Sequence, residues 1–334
     1  MTRLGKVRFI SSVILAPFMV GLSSCSENSE KTVAASSQPA VENCSIELIV
    51  LGVGQDAGAP QIGYHKDVAW EDASQKLRAT SLALVDYDNE SRYLFEATPN
   101  ISEQVKQLDD MTTIEGSPLD LSGIFITHAH MGHYAGLMFL GREAAGTRDI
   151  PVYAMPRLSN YLRTNGPWEQ LVSLGNILLM EMVGQTPVVL SNTLSVTPYQ
   201  VPHRDEYSET VGYKIETDNQ SVLFIPDIDN WDKWEKDFGI KIEDMIGDVD
   251  LAYLDATFYS DQELPGRDMS KIPHPRVSGM MNRFDALAPS EKNKVHFIHM
   301  NHTNPIRFKD SKESQEVISR DYTVARRGDR HCLL

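Results

Sequence analysis

The chain has 334 residues, of which 41% are hydrophobic and 23% charged, and a formal net charge of −15. Such a size and composition describe an ordinary globular protein of one or two domains with a core of its own. So acidic a surface repels phosphate backbones and argues against a nucleic-acid partner. A small anionic substrate stays open, because bound cations invert the field locally.

Residues 1–24 read as a leader and not as part of the fold. Arg3, Lys6 and Arg8 precede a short apolar run, Phe9 to Leu22, too short for a comfortable membrane span. Losing the leader removes those three positive charges and makes the chain still more acidic. The run ends in Leu22-Ser23-Ser24-Cys25, which resembles a bacterial lipoprotein box whose Cys carries the lipid. An ordinary secretory leader cleaved nearby is the competing reading. Ser26 follows, with no Asp to signal inner-membrane retention. The expectation is an exported lipoprotein on the periplasmic side of the outer membrane or at the cell surface, held to the membrane only through Cys25. Residues 25–44, rich in Ser, Glu, Ala, Gln and Pro, read as a flexible tether, and residues 45–334 as the globular domain. Cys44 and Cys332 then stand at its two ends. In an oxidising compartment they invite a disulfide; two unpaired buried thiols are the alternative.

Ile46 to Val53 reads as an apolar strand, followed by a Gly-rich loop from Gly54 to Gln61 that lacks the spacing and the Lys of a phosphate-binding loop. Asp56 in that loop is either a site residue or a turn former. Ser81 to Tyr87 and Arg92 to Glu96 predict a hairpin, and Ile101 to Leu108 an amphipathic helix. Gly123 to Thr127 predicts the strand that leads into His128, His130 and His133, three of only ten histidines in the chain. Positions 128 and 130 can face one ion from an extended turn, and His133 can reach the same ion or a neighbour. Neutral imidazole is the commonest nitrogen ligand for zinc and iron. A helix is expected from Tyr134 to Ala145.

Beyond it, Pro151 to Ala154 reads as a strand and Pro156 to Asn165 as a helix. Strands are expected at Val188 to Leu190, Leu194 to Val201, Val211 to Glu216, Ser221 to Ile225, Asp248 to Leu254 and Val295 to Ile298. Thr323 to Arg326 and His331 to Leu334 suggest a terminal hairpin around Gly328-Asp329. Leu174 to Met182 and Met280-Met281 read as packing, and Trp231, Trp234 and Phe238 as one packed helix face. His274, between Pro273 and Pro275, falls in a loop near the site. A ligand-type residue follows several of these strands: His203, Asp227, and His299 with His302. Each alone is most simply a surface or capping residue. Strand ends along one sheet edge lie close together, so with the histidine cluster they make a site.

These residues resemble the metallo-β-lactamase superfamily, over about Ile46 to Leu334. The resemblance implies an α/β fold, a four-layer αββα sandwich with a metal site at one edge of its two sheets. In its terms His128, His130 and His133 match the His-x-His-x-Asp-His signature. His203 matches the third histidine of the first metal site, Asp227 the bridging aspartate, and His299 the late histidine of the second site. Four segments are similar to the pyrroloquinoline quinone biosynthesis protein B branch: Ala129 to Leu137, Asp255 to Phe258, Gly266 to Met269 with Pro273, and His299 to Pro305. Gly132 stands where the signature has Asp. That leaves the first site whole (His128, His130, His203) and the second depleted (His133, Asp227, His299). His302, Asp56 and Asp229 are candidates for the missing ligand.

The implied function is a metal-dependent hydrolase of a small-molecule ester, phosphodiester, lactone or lactam bond, with one or two Zn2+ ions, or with iron or manganese. Asp227 would hold the attacking hydroxide and His302 would donate to the leaving group. An iron-dependent oxidative enzyme related to quinone cofactor biosynthesis is the second reading, opposed by the export leader. A non-catalytic metal-binding lipoprotein is the third, and Gly132 is its support.

Overall fold

The computed structural model describes residues 44–112, 114 and 119–334. The leader, Cys25 and residues 26–43 of the tether lie outside the described residues.

Among the described residues fourteen strands form two sheets of seven. The first half of the chain supplies β1 (Ile46–Gly52), β2 (Ser81–Asp86), β3 (Ser91–Phe95), β4 (Gly123–Phe125), β5 (Ile150–Ala154) and β6 (Ile177–Glu181). The second half supplies β7 (Val188–Ser191), β8 (Leu194–Gln200), β9 (Val211–Thr217), β10 (Ser221–Ile225), β11 (Leu251–Asp255), β12 (Val295–Ile298) and β13 (Thr323–Val324). The last strand, β14 (Arg330–Cys332), returns to the first sheet. The orders are β14-β1-β2-β3-β4-β5-β6 and β13-β12-β11-β10-β9-β8-β7. Each sheet runs through three antiparallel pairings and then three parallel ones. Helices cross between the parallel strands, so the two sheets pack face to face with helices outside. This is the expected four-layer αββα sandwich.

Side-chain alternation along the strands divides the core. Leu48, Val50, Leu82, Leu84, Phe95 and Phe125 face the partner sheet, whereas Ile49, Leu51, Ala83, Val85, Leu94 and Ile124 face the helix Ile101–Met111 and its neighbours. Period-2 alternation between two apolar faces is what a doubly covered strand requires. Between the sheets Phe95 stacks on Phe125 at 5.1 Å and meets Tyr213 edge-on at 5.5 Å. Each such buried ring is worth about 1.5–3 kcal/mol over exposure. Among the described residues no helix is long and apolar enough to cross a membrane.

Three expectations change. The helix from Tyr134 to Ala145 is one short turn, Met131–Tyr134, continued as a tighter 3-10 stretch, Ala135–Leu140. A Cβ at Gly136 would lie 2.1 Å from the Thr98 carbonyl oxygen, so the segment is pressed onto that neighbouring loop, and Gly141 ends it. Leu174 to Met182 is more than packing, because it contains β6. The terminal hairpin does not form: Thr323–Val324 adds to β12 in one sheet and Arg330–Cys332 to β1 in the other. The intervening turn bonds to β1 instead, with Gly328 N donating to the Val50 carbonyl and Val50 N to the Asp329 carbonyl. Cys44 and Cys332 are joined by a disulfide. Beside it Arg330 grips the buried Glu47 carboxylate with two bonds of 2.6 Å.

Candidate metal centre

Parallel strands in both sheets point their C-terminal ends to one edge, where ligands of open α/β sheets bind. After β4 the chain stays extended through His130 (φ −95°, ψ 144°) before turning into Met131–Tyr134. That turn places the His128 Nε2 and His130 Nδ1 atoms 2.8 Å apart. The loop after β8 brings His203 Nε2 to 3.2 Å from His130 Nδ1. The end of β10 brings Asp227, whose Oδ2 lies 3.5 Å from His128 Nε2 and 3.3 Å from His203 Nε2. The same Oδ2 lies 3.6 Å from His133 Nε2 and 4.0 Å from His299 Nε2. Asp227 therefore stands between two sets of convergent donors: His128, His130 and His203 on one side, His133 and His299 on the other. The six residues anticipated from the sequence meet at one place.

The donors fit metal ions. His133 Nε2 and His299 Nε2 are buried with no hydrogen-bond partner among the described residues. A buried nitrogen left without a partner costs about 1–3 kcal/mol, which an ion between them would remove. Nitrogen-rich sets with one or two carboxylates suit zinc and iron.

The far nitrogen of each ring is held by a second residue, which fixes tautomer and ring plane. His128 Nδ1 lies 2.9 Å from Thr127 Oγ1, and that hydroxyl donates to Glu96 at 2.5 Å. His133 Nδ1 meets Glu96 Oε1 at 3.1 Å. His130 Nε2 meets Glu206 at 3.1 Å, and His203 Nδ1 meets Asp229 at 3.0 Å. His299 Nδ1 pairs with Thr257 Oγ1 at 3.0 Å, whose hydroxyl donates to Asp255 at 2.7 Å. His299 itself sits at φ 64°, a left-handed conformation worth about 1–3 kcal/mol of strain for a non-glycine residue. It is held there by the Met300 N–H bond to the Val53 carbonyl and the Asn301 N–H bond to the Thr257 carbonyl.

A third group lies beside these. His274 Nδ1 is 2.8 Å from Asp255 Oδ2 and 3.2 Å from Asp227 Oδ1, on a backbone with φ 144°. Asp255 also accepts from the Thr257 and Ile228 backbone N–H groups.

The charges are strongly coupled. Burial pushes His128 well below the ordinary histidine range, with the neighbouring His133 adding to it. Burial also lowers His130. His203 behaves oppositely: burial opposes its charge, but Asp227 and Asp229 outweigh that and push it up to about 10. His133 is raised in the same way, against its burial, by Glu96 and Asp227, with Asp56 adding a smaller push. Burial would raise Asp255, yet His274 and His299 bring it down to about 2. The carboxylates thus favour the charged form of His133 and His203, and burial the neutral form of His128 and His130.

Three anticipated residues, His302, Asp229 and Asp56, are not brought into the cluster. His302 belongs to none of the groups able to share an ion among the described residues. Its ring lies edge-on to Tyr64 at 4.9 Å, and its carbonyl accepts from Arg307. Asp229 is taken by His203 and by Lys233 at 3.0 Å. Sequence reasoning missed Glu96, Thr127, Glu206 and Thr257. Glu96 carried a signal: an acidic residue ending the apolar run Tyr93-Leu94-Phe95 and wholly buried.

Residues 91–300 match the beta-lactamase superfamily domain. Together with the double sheet and its histidine edge, that match places this chain in the metallo-β-lactamase superfamily. Within it the chain is similar to coenzyme PQQ synthesis protein B of Methylorubrum extorquens, at 25% identity over 314 residues, covering 85% of this chain and 98% of that one. Its fold is similar to that of the Zn2+-bound PqqB from Methylobacterium extorquens, with a TM-score of 0.70 at 22% identity, covering 85% of this chain and 99% of the other. It is also similar to that of a diphosphatase from the PhnP family, with a TM-score of 0.58 at 19% identity, covering 86% and 96%.

Proposed function

We propose that this protein is a metal-dependent hydrolase acting on a small-molecule ester, phosphodiester, lactone or lactam bond. The carrying observation is Asp227 Oδ2 lying between two sets of convergent histidine nitrogens. His128, His130, His203 and Asp227 would hold one ion, and His133, Asp227 and His299 a second. Zinc held there would lower the pKa of a bound water to about 7 and would polarise the carbonyl or phosphoryl oxygen of the substrate. The Zn2+-bound structural relative favours zinc, within a donor set that suits zinc and iron alike.

The chain's own residues do the rest. Asp227 is positioned to accept a hydrogen bond from the attacking water and orient it. Glu96, Thr127, Asp229 and Thr257 keep the ring planes still, so the donors are arranged before substrate arrives. His274 is the proton donor in this reading, in place of His302. Its Nδ1 is held by Asp255 at 2.8 Å, and its ring stands 5.6 Å from His203 and 6.3 Å from His299, which puts the imidazole at the edge of the cluster. Microscopically this is general acid catalysis by an oriented imidazole.

The test is elemental analysis of protein purified without chelators or added metal, followed by a panel of phosphodiesters, lactones and β-lactams. About two zinc ions per chain and turnover of one bond class support the reading. Zinc-loaded protein inert on every class would overturn it. A second reading, iron-dependent oxidation, rests on the similarity to coenzyme PQQ synthesis protein B. One iron per chain with substrate-dependent oxygen consumption would put it first.

We also infer that the protein is exported and lipid-anchored at Cys25. Support comes from the leader-like start and from the Cys44–Cys332 pairing, which suits an oxidising compartment. Cys25→Ala should move the protein from the membrane to the soluble fraction. Retention on the membrane would count against the anchor.

A further inference from the structure

We propose that Asp56 supplies the carboxylate ligand of the second ion site that Gly132 lacks. The proposal rests on reading the cluster as a two-ion centre, and not on which bond is broken. A Cβ built on Gly132 would meet the Asp56 α-carbon at 2.4 Å, its carbonyl oxygen at 2.9 Å and its carbonyl carbon at 3.0 Å. No side chain fits there. The chain can carry a carboxylate at position 132 or the Asp56 loop against it, and it carries the loop.

The loop is fastened on the other side to the segment that bears His299. Gln55 N donates to the Met300 carbonyl at 2.9 Å, and Asn301 Nδ2 donates to Gln55 Oε1 at 2.5 Å. Gly54 bridges to Met300 as well. Asp56 thus follows a residue tied to the His299 loop, and its own α-carbon abuts the residue before His133. It lies between the two segments whose histidine nitrogens lack partners. Its φ of 46° is left-handed, a conformation that Asp and Asn tolerate better than other side chains. The backbone of the loop is set by these bonds and by Gly58, whose own Cβ would strike the Leu77 carbonyl oxygen at 2.0 Å.

The Asp56 side chain is exposed and stands outside the group formed by His133, Asp227 and His299. Rotation about its side-chain bonds is the movement needed, and staggered rotamers of an exposed Asp interconvert easily. Of the three residues the sequence offered for the missing ligand, Asp229 is engaged by His203 and Lys233, and His302 is turned to Tyr64.

The experiment is a Zn2+ titration of the metal-free full chain against a chromophoric chelator, with no substrate present. The native protein is expected to bind two equivalents. Asp56→Asn, which keeps the left-handed backbone and the shape but loses the charge, should keep one equivalent at unchanged affinity. It should bind the other at least about 10-fold more weakly. Asp56→Glu, which restores the charge, should recover part of that loss. The metal-free Asp56→Asn protein should unfold at the same temperature as the native one, which separates a ligand from a structural residue. Native protein binding a single equivalent, or Asp56→Asn binding both as tightly as the native chain, would overturn the proposal. Because nothing is turned over, a failed hydrolase panel leaves this result standing, and the reverse also holds.

Discussion

The first sheet delivers His128, His130 and His133 from one turn after β4, whereas the second delivers His203, Asp227 and His299 from three separate strand ends. The two sheets share the same run of antiparallel and then parallel pairings. Their contributions differ in what holds them. The β4 turn is stiffened locally, by Thr127 and by Glu96 from the neighbouring strand β3. The second sheet's ligands depend on the registers of β10, β11 and β12, on the Asp255 carboxylate, and on the strained backbone of His299. A local turn survives small shifts of the sandwich, while a distributed set is only as good as the packing around it.

The largest effect should come from the residue common to both sides. Asp227→Asn removes the charge facing five histidines, and metal content should fall below one ion per chain, with affinity down more than about 100-fold at each site. Metal analysis after dialysis checks it. Next come the single ligands. His203→Ala should lose the first ion and keep the second, and His299→Ala the reverse. Loss of both ions in either variant would mean that the sites do not bind independently.

Asp255→Asn touches no proposed ligand atom, yet it loosens His274, Thr257 and the Ile228 N–H together. A drop in metal affinity of about 10–100-fold is expected, as for other partners of metal-bound histidines. The same change at Glu96 tests whether the β4 turn is less sensitive.

A pH series sharpens the comparison further. His203 is raised from its ordinary value near 6.5 to about 10 in the ion-free fold. The stability this lends is fully present below about pH 6.5 and is lost as pH rises towards 10. Metal-free protein should therefore melt at falling temperature across that range, and Zn2+ binding should release protons and tighten. Calorimetry in buffers of different ionisation enthalpy measures the release. Asp255 runs the other way: held down at about 2, it stabilises above the ordinary carboxylate range and loses that contribution as pH falls through about 2.

The smallest effect on the site should follow Cys44→Ser. It opens a link spanning 288 residues at the strand β14 edge. Stability should fall by about 2–5 kcal/mol, with metal content unchanged. A change in metal content would show that the edge strand helps to set the ligand geometry.

Much was legible from the residues alone where the cause is local. Three histidines in one turn, apolar alternation in β1 to β4 and β9 to β12, and ligand-type residues after strands all depend on short-range spacing. The histidine turn needs only the preceding strand to take shape. What followed it was misjudged, because Gly136 was taken for a helix residue although it is pressed against the Thr98 carbonyl from another part of the chain.

Only the tertiary structure decided the rest. It separated β13 from β14 into different sheets and joined Cys44 to Cys332. It turned Asp229 from a candidate ligand into the partner of His203, set His274 on Asp255, and pressed the Asp56 loop onto Gly132. Each of these is a contact between segments far apart in the chain. Spacing along the chain determines which side chains can share a face. Which faces then meet is set by sheet register and packing, and the residues themselves do not print that.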